Sequence, residues 1–210
     1  MKDVQISVKE NEYKIENGNL IIVLNPEIEK ALGINKVQLS ALVPGDIFTS
    51  GGIEYIVFEH CINGTTRILR KEVLENEMEF GSNNDWKESK IRKYLNSEYL
   101  KEIEKVFGSE NIIEHEVDLF SHDGLRDYQI SIDKVSLLTF DQYRNNREVI
   151  GANLDTYWWL STPDSTPSGY GDVCVLYVCE DGRVNYLGYC WDRGVRPALT
   201  LLSSIFVSLA

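Results

Sequence analysis

A thiolate can attack disulfides, bind soft metals and carry redox equivalents, so the cysteines come first among residues able to do chemistry. The chain has four: Cys61, Cys174, Cys179 and Cys190. Cys174 and Cys179 are five positions apart. In a regular strand that odd separation sends the two side chains to opposite faces, which argues against a dithiol centre. No C-x-x-C pair occurs, and His60 beside Cys61 is too little for a zinc site. Reduced thiols are expected inside a cell; export would favour a disulfide between two of the three late cysteines. The run SHDGLRDY holds His122, Asp123, Arg126 and Asp127, yet no nucleophile with a partnering base marks it as hydrolytic. GSNND, residues 81–85, lacks the phosphate-loop pattern, and Pro163-Asp164 reads as turn initiation. The sequence thus nominates no catalytic residue, no metal ligand set and no cofactor.

Binding is a different matter. Between residues 172 and 201 the chain reads DVCVLYVCEDGRVNYLGYCWDRGVRPALTL, with three of its four cysteines, three tyrosines and a tryptophan. Tyrosine and tryptophan give large contact area at low rotamer cost, and each has a polar handle. Tyr177, Tyr186, Tyr189 and Trp191 are the expected anchors of a recognition surface, with Asp172, Asn185 and Asp192 adding polar contacts. Cys174, Leu176, Cys179, Leu187, Gly188 and Cys190 complete the set. Val173, Val175, Val178 and Val184 are the expected framework beneath it. Alternation fails between Val175 and Val178, which calls for a bulge or register change. The competing reading is an ordinary surface strand and loop, with Leu176 or Tyr177 packing inward.

These residues need a scaffold. Residues 4–24 read as a hairpin, VQISVK and YKIENGNLIIVL, turning at Asn17-Gly18. PEIEKALG then suggests a short helix stopping at Gly33. Residues 1–35 form a small appendage on this reading, able to attach the chain to a particle or to mediate self-association. Residues 36–210 form the main domain. There Gly51-Gly52 and Asn63-Gly64 separate three strand-like segments. DWKESKIRKYLNSEYLKEIEKVFG follows as two helices, with a break and a new N-cap at Asn96-Ser97 and a stop at Gly108. A strand from Val135 to Leu138, a short helix near Asp141 and mostly strands complete the chain. The order is α+β rather than alternating βαβ.

Composition narrows the partners. With 210 residues and a formal net charge of −12, the chain repels nucleic acid, and no basic run longer than Arg70-Lys71 opposes that field. The N-terminus has no apolar segment of signal-peptide length. The tail ALTLLSSIFVSLA is too short to span a bilayer and reads as a buried terminal strand. The expectation is cytoplasmic synthesis without membrane insertion, with any outside role reached by lysis or in a particle.

WWLSTP (residues 158–163) and GVRPALTL (residues 194–201), with ESKIRKYLNSEYL and DKVSLLT between the early strands and the first of these, resemble a bacterial and phage domain family of unassigned function. That family carries a Trp-Trp-Leu-Arg-Ser-Pro-like strand and a closing Gly-Val-Arg-Pro. Ser161 and Thr162 depart from it, standing where the family has Arg and Ser. The resemblance implies a C-type-lectin-like fold for about residues 37–202, shared with formylglycine-generating enzymes and with the variable proteins of diversity-generating retroelements. In the latter, exposed positions of a C-terminal segment are rewritten at adenines. Asn, Asp, Tyr, Cys, Gly and Leu are reachable from an Asn codon in this way, and Trp191 is not. The calcium-binding triplets of C-type lectins are missing. The resemblance implies a module recognising a protein or glycan surface. The alternatives are an oxidoreductase of the formylglycine-generating type working through Cys174 and Cys179, and a structural particle component. Arg196 is expected to hold a buried hydrogen-bond network, and at least one of Trp158 and Trp159 to be core.

Overall fold

The computed structural model describes residues 13–16, 19–22, 36–151 and 154–209. The chain divides into two compact units, Met1–Lys36 and Val37–Ala210. In the first, β1 (Tyr13–Glu16) pairs antiparallel with β2 (Asn19–Ile22), Glu16 facing Asn19. The Asn17-Gly18 turn expected between them lies outside the described residues. The VQISVK strand and the PEIEKALG helix lie outside the described residues.

The second unit is built on an eight-stranded sheet. β3 (Lys36–Gln38), β4 (Ile47–Ser50), β5 (Ile53–Cys61) and β6 (Thr65–Arg70) supply half of it. Gly51 and Gly52, at φ +58° and +77°, provide the left-handed backbone of the turn from β4 to β5. Gly64, at φ +77°, closes the next hairpin. β7 (Met78–Glu79) follows as a short separate strand.

The two expected helices join into one long helix with a kink at Asn96, where φ −96° and ψ 15° leave the helical region, so the expected break falls there without a new N-cap. α1 (Lys90–Tyr94) passes through a π-turn (Leu95–Tyr99) into α2 (Leu100–Phe107), which ends at Gly108 with φ +83°. Ser89, not Ser97, is the N-cap, its hydroxyl accepting from the Arg92 amide at 3.0 Å. The Ser97 hydroxyl instead donates back to the Lys93 carbonyl. Asn96 makes tertiary bonds in place of a cap. Its amide donates to the carbonyls of Arg92 (3.1 Å) and Val135 (2.8 Å). Its oxygen accepts from the backbone of Lys134 and Val135, each at 3.1 Å.

β8 (Ile112–Ile113), β9 (His115–Asp118), β10 (Ile130–Asp133) and β11 (Val135–Ser136) come next. Asp133 on β10 is fully buried and doubly held, accepting from the Trp86 indole at 2.8 Å and from Arg92 Nε at 2.6 Å. That pairing lets a carboxylate sit in the interior and fixes the start of the helix against β10. α3 (Phe140–Asn146) opens on a capping box between Thr139 and Gln142.

The remaining strands are β12 (Trp158–Pro163), β13 (Cys174–Val178), β14 (Val184–Gly188), β15 (Asp192–Arg193), β16 (Ala198–Leu202) and β17 (Phe206–Leu209). The large sheet runs β11-β16-β6-β5-β4-β17-β3, with β8 also on β16. The tail therefore contributes two strands to it: β16 is largely buried, whereas Phe206 on β17 is exposed. β12, β13 and β14 form a separate three-stranded antiparallel sheet, and β15 pairs with β7. The architecture is α+β: curled, largely antiparallel sheet with one long helix and short turns.

Two apolar clusters fill the interior. One gathers Phe48, Tyr55, Phe80, Trp86, Ile103, Trp159, Val175 and Tyr177. The other gathers Phe58, Tyr143, Trp158, Leu160, Leu176 and Val178. Trp158 and Trp159 both lie fully inside, one in each cluster, so neither faces solvent.

Candidate functional site

β13 is the middle strand of its sheet, and this decides the fate of the aromatic segment. β12 covers one edge and β14 the other, while the two clusters cover its two faces. A strand buried on both faces has no solvent side, so apolar alternation disappears from it. Leu176 and Tyr177, expected at the binding surface, are interior residues at 1% and 8% exposure. The Tyr177 ring packs edge-on against Tyr157 (5.9 Å) and Trp159 (6.2 Å), with the Arg193 guanidinium 5.2 Å from its centre. Of the bulge or register change expected between Val175 and Val178, the register change is present: Trp159 pairs with Tyr177 and Pro163 with Val175, so the extra residues lie in β12. β13 and β14 pair without interruption from Cys174 opposite Gly188 to Val178 opposite Val184. The irregularity is therefore confined to the β12 side of the strand, opposite Val175–Tyr177.

β14 and the turn after it behave differently. Tyr186 is 56% and Trp191 59% exposed, and Asn185, Cys190 and Asp192 are exposed with them. Leu187 and Tyr189 are half-buried and pack against the first cluster, and Gly188 is half-buried too. Asp172 is exposed. Val173, assigned to the framework by sequence, is 53% exposed because it precedes the strand rather than joining it. Tyr170, absent from the sequence-based set, is 96% exposed two positions before Asp172. The sequence signal for it was the same as for the others, an aromatic in a glycine-bearing loop.

The exposed side chains stand on a firmly tied backbone. The Tyr189 amide donates to the Val173 carbonyl at 3.0 Å, and the Phe80 amide to the Tyr189 carbonyl at 2.9 Å. The Trp191 amide closes a turn onto the Gly188 carbonyl at 3.2 Å. A Cβ at Gly188 would stand 3.7 Å from the Trp191 ring and 3.9 Å from Cys190 Sγ, so both side chains lie over that glycine. Asn84, fully buried, donates to the carbonyls of Ser165 and Cys174 at 2.9 Å each. It accepts from the Tyr128 hydroxyl at 2.7 Å, and its amide donates to the Asp172 carbonyl. GSNND is thus a loop, as expected, but its Asn84 fixes the entry to β13.

The cysteines are not arranged for redox chemistry. All four are free thiols. Cys174 opens β13, while Cys179 follows its last residue and packs against the first cluster. Burial, and then the charge of Asp164, push the Cys174 thiol up, away from the thiolate such chemistry requires.

The SHDGLRDY loop serves the scaffold. Asp123 accepts from the hydroxyls of Ser121 and Ser165, which holds its carboxyl below the usual range. Asp127 accepts from the Ser168 amide and hydroxyl, with the same effect. His122 and Arg126 border a cleft of about 530 Å³ together with Phe120, Phe140 and Arg144. Among the described residues no three His, Cys, Asp or Glu side chains converge as a metal-ligand set, and no helix is long and apolar enough to cross a membrane.

WWLSTP and GVRP, two of the motifs behind the resemblance, meet in space. The Gly194 amide donates to the Tyr157 carbonyl at 2.8 Å, and the Trp159 amide to the Gly194 carbonyl at 3.0 Å. A Cβ at Gly194 would stand 3.0 Å from that Tyr157 oxygen and 2.8 Å from Val73. Arg196 is fully buried, 5.1 Å from the centre of the Trp158 ring. It donates to the carbonyls of Arg70 (2.9 Å), Lys71 (2.8 Å), Ile150 (2.7 Å) and Gly151 (3.2 Å). Desolvation pulls its pKa down to about 10, which leaves it charged at neutral pH.

Residues 63–135 match a domain family of unknown function, DUF6273. The match spans β6 to the start of β11, including the long helix, and covers less than half of the chain. It stops before WWLSTP and GVRP. No curated protein and no solved structure matches the chain. No enzyme family is indicated.

Proposed function

We propose that this chain is a recognition module of C-type-lectin-like design, presenting the edge of its three-stranded sheet to a protein surface. One observation carries the reading: Tyr186 and Trp191 lie open to water while the strand beneath them is buried on both faces. Exposed aromatics on a rigid support are what a binding hot spot requires, because their contact area needs little further ordering. The face comprises Tyr186 and Trp191 with Val173, Tyr170 and Cys190, edged by Asp172, Asn185 and Asp192. Neither of the two main clefts of the second unit includes any of these residues, so the face suits a broad partner better than a small ligand. A glycan surface is the other partner class compatible with aromatic stacking. Leu176 and Tyr177 support this face from below. Diversification would act on Asp172, Asn185, Tyr186 and Cys190, which are both exposed and reachable from an Asn codon. A reverse-transcriptase gene beside a near-copy of this coding segment, differing mainly at adenines, is the matching genomic sign. The appendage, residues 1–35, is the proposed point of attachment or self-association.

The test is binding of labelled protein to cell-surface protein and glycan arrays, side by side with a Tyr186→Ser, Trp191→Ser double variant. Saturable binding to protein features that the double variant loses, with unfolding unchanged, supports the proposal. Binding retained by the double variant overturns it. Glycan features alone lighting up would replace the protein partner with a saccharide. A Cys174→Ser, Cys179→Ser variant should bind as the parent does, whereas the oxidoreductase alternative requires both thiols.

A further inference from the structure

A second cleft, remote in purpose from the aromatic edge, is lined by Arg70, Leu74, Met78, Tyr94, Tyr99 and Glu102, with Glu75 and Asn76 at its mouth, and has a volume of about 420 Å³. Its construction is unusual in three ways.

The first is the π-turn. Tyr94 and Tyr99 are five positions apart, which in an ideal α-helix would point them roughly 140° away from each other. The turn at Leu95–Tyr99 overcomes this, bringing the two rings to 6.4 Å on the same wall. Such insertions strain a helix and concentrate at functional positions. The second is the floor. Tyr55 on β5 faces Arg70 on β6 as a cross-strand pair, so both side chains rise from the same side of the sheet toward Tyr99. Tyr55 is fully buried and Tyr99 is 2% exposed; the two hydroxyls interact with each other, and Tyr99 with Arg70, but neither hydroxyl nor the buried Arg70 Nε makes a hydrogen bond of good geometry. Arg70 and Tyr99 both line the cleft, and buried donors so poorly satisfied mark a place for an acceptor there. Burial raises both phenols, which therefore stay protonated and able to donate. The third is the rim. Glu75 and Glu102 are exposed carboxylates at the opening, set above apolar walls formed by Leu74, Met78 and Tyr94.

We propose that this cleft binds a small zwitterion with an apolar body, a free α-amino acid such as phenylalanine or methionine. Its carboxylate meets Arg70 and Tyr99, its ammonium faces Glu75 and Glu102, and its side chain lies among Leu74, Met78 and Tyr94. A single carboxylate satisfies donors on two sides at once, and the pairing with a guanidinium is charge-assisted. The acidic rim repels any second negative charge, which disfavours phosphates and dicarboxylates. The volume lies within the range of ordinary small-molecule sites.

The experiment is calorimetric titration of the full chain with L-phenylalanine and L-methionine, alongside 3-phenylpropionate, which lacks the amine, and phenethylamine, which lacks the carboxylate. The amino acids should bind, and each truncated analogue should bind at least about 10-fold more weakly, the effect of one lost charged contact. Tyr99→Phe keeps the ring and should weaken amino-acid binding by about 10-fold, and Arg70→Gln should abolish it. Arg70→Lys keeps the charge and guards against loss of fold. Unfolding curves of all three variants should match the parent to show that the cleft is intact. Glu102→Gln should weaken phenylalanine while leaving 3-phenylpropionate unchanged. No heat with either amino acid, equal affinity for 3-phenylpropionate and phenylalanine, or parent-like affinity in Tyr99→Phe or in Arg70→Gln each overturns the proposal.

Discussion

The recognition proposal requires that Tyr186 and Trp191 be dispensable for folding while Tyr177, nine residues earlier, is not. The magnitudes follow from burial. Tyr177→Ala empties a site packed by Tyr157, Trp159 and Arg193, so it should cost about 3–5 kcal/mol, the range for buried aromatics. Tyr186 and Trp191 keep more than half of their surface in water. Truncating either should cost no more than about 1 kcal/mol, the spread of strand propensities. With a urea dependence of about 2 kcal/mol per molar, Tyr177→Ala moves the unfolding midpoint down by about 2 M and the other two by less than about 0.5 M. Tryptophan fluorescence supplies a second readout from the same samples. Trp86, Trp158 and Trp159 are fully buried, so Trp191 should account for nearly all iodide-quenchable emission. Trp191→Phe should remove that fraction and shift the remaining emission to the blue. Equal midpoint losses for Tyr177→Ala and Tyr186→Ala, or quenching that survives in Trp191→Phe, would show that the edge is covered and that the reasoning fails.

Two further outcomes test the scaffold. Asn96→Ala deletes four hydrogen bonds, three of them tying the π-turn to Lys134 and Val135 and one to Arg92 within the helix, and should cost about 2–4 kcal/mol in the same urea assay, while Ser97→Ala should cost less than about 1 kcal/mol. His115 is held near pKa 4, below its ordinary 6.5, by burial first and by Arg67 second. The unfolded chain therefore binds the extra proton between those values, so this contribution is complete above pH 6.5 and is lost as pH falls toward 4. The loss reaches roughly 3 kcal/mol at about 1.4 kcal/mol per unit. The difference in stability between the parent and His115→Asn should vary with pH in that window and stay level above it.

What the sequence reveals depends on where the deciding partner lies. Gly51-Gly52 and Gly64 act within their own turns, and the hairpins they close are legible directly from the chain. Asn96-Ser97 reads as a helix break because both residues favour caps. The backbone does leave the helical region at Asn96, but the bonds that turn the break into a kink rather than a new cap come from Val135, some forty residues later. The aromatic segment divides in the same way. Tyr177 and Tyr186 are equal candidates by residue type, and nothing local states that β12 will close over one strand while β14 is left at the edge. Sheet order is a long-range property, and period-two patterning reports a face only where one face is wet.

The motifs carrying the family resemblance bear on this from another side. Gly194 is required by the approach of the Tyr157 carbonyl, and Arg196 by four carbonyls and the Trp158 ring. Both are obligations of the scaffold. A chain could keep WWLSTP and GVRP intact and carry any side chains at positions 186 and 191 at little cost to folding. The separation between a constrained interior and an unconstrained edge is what recognition by variation needs. It also explains why motif residues inform on architecture here and say nothing about the partner.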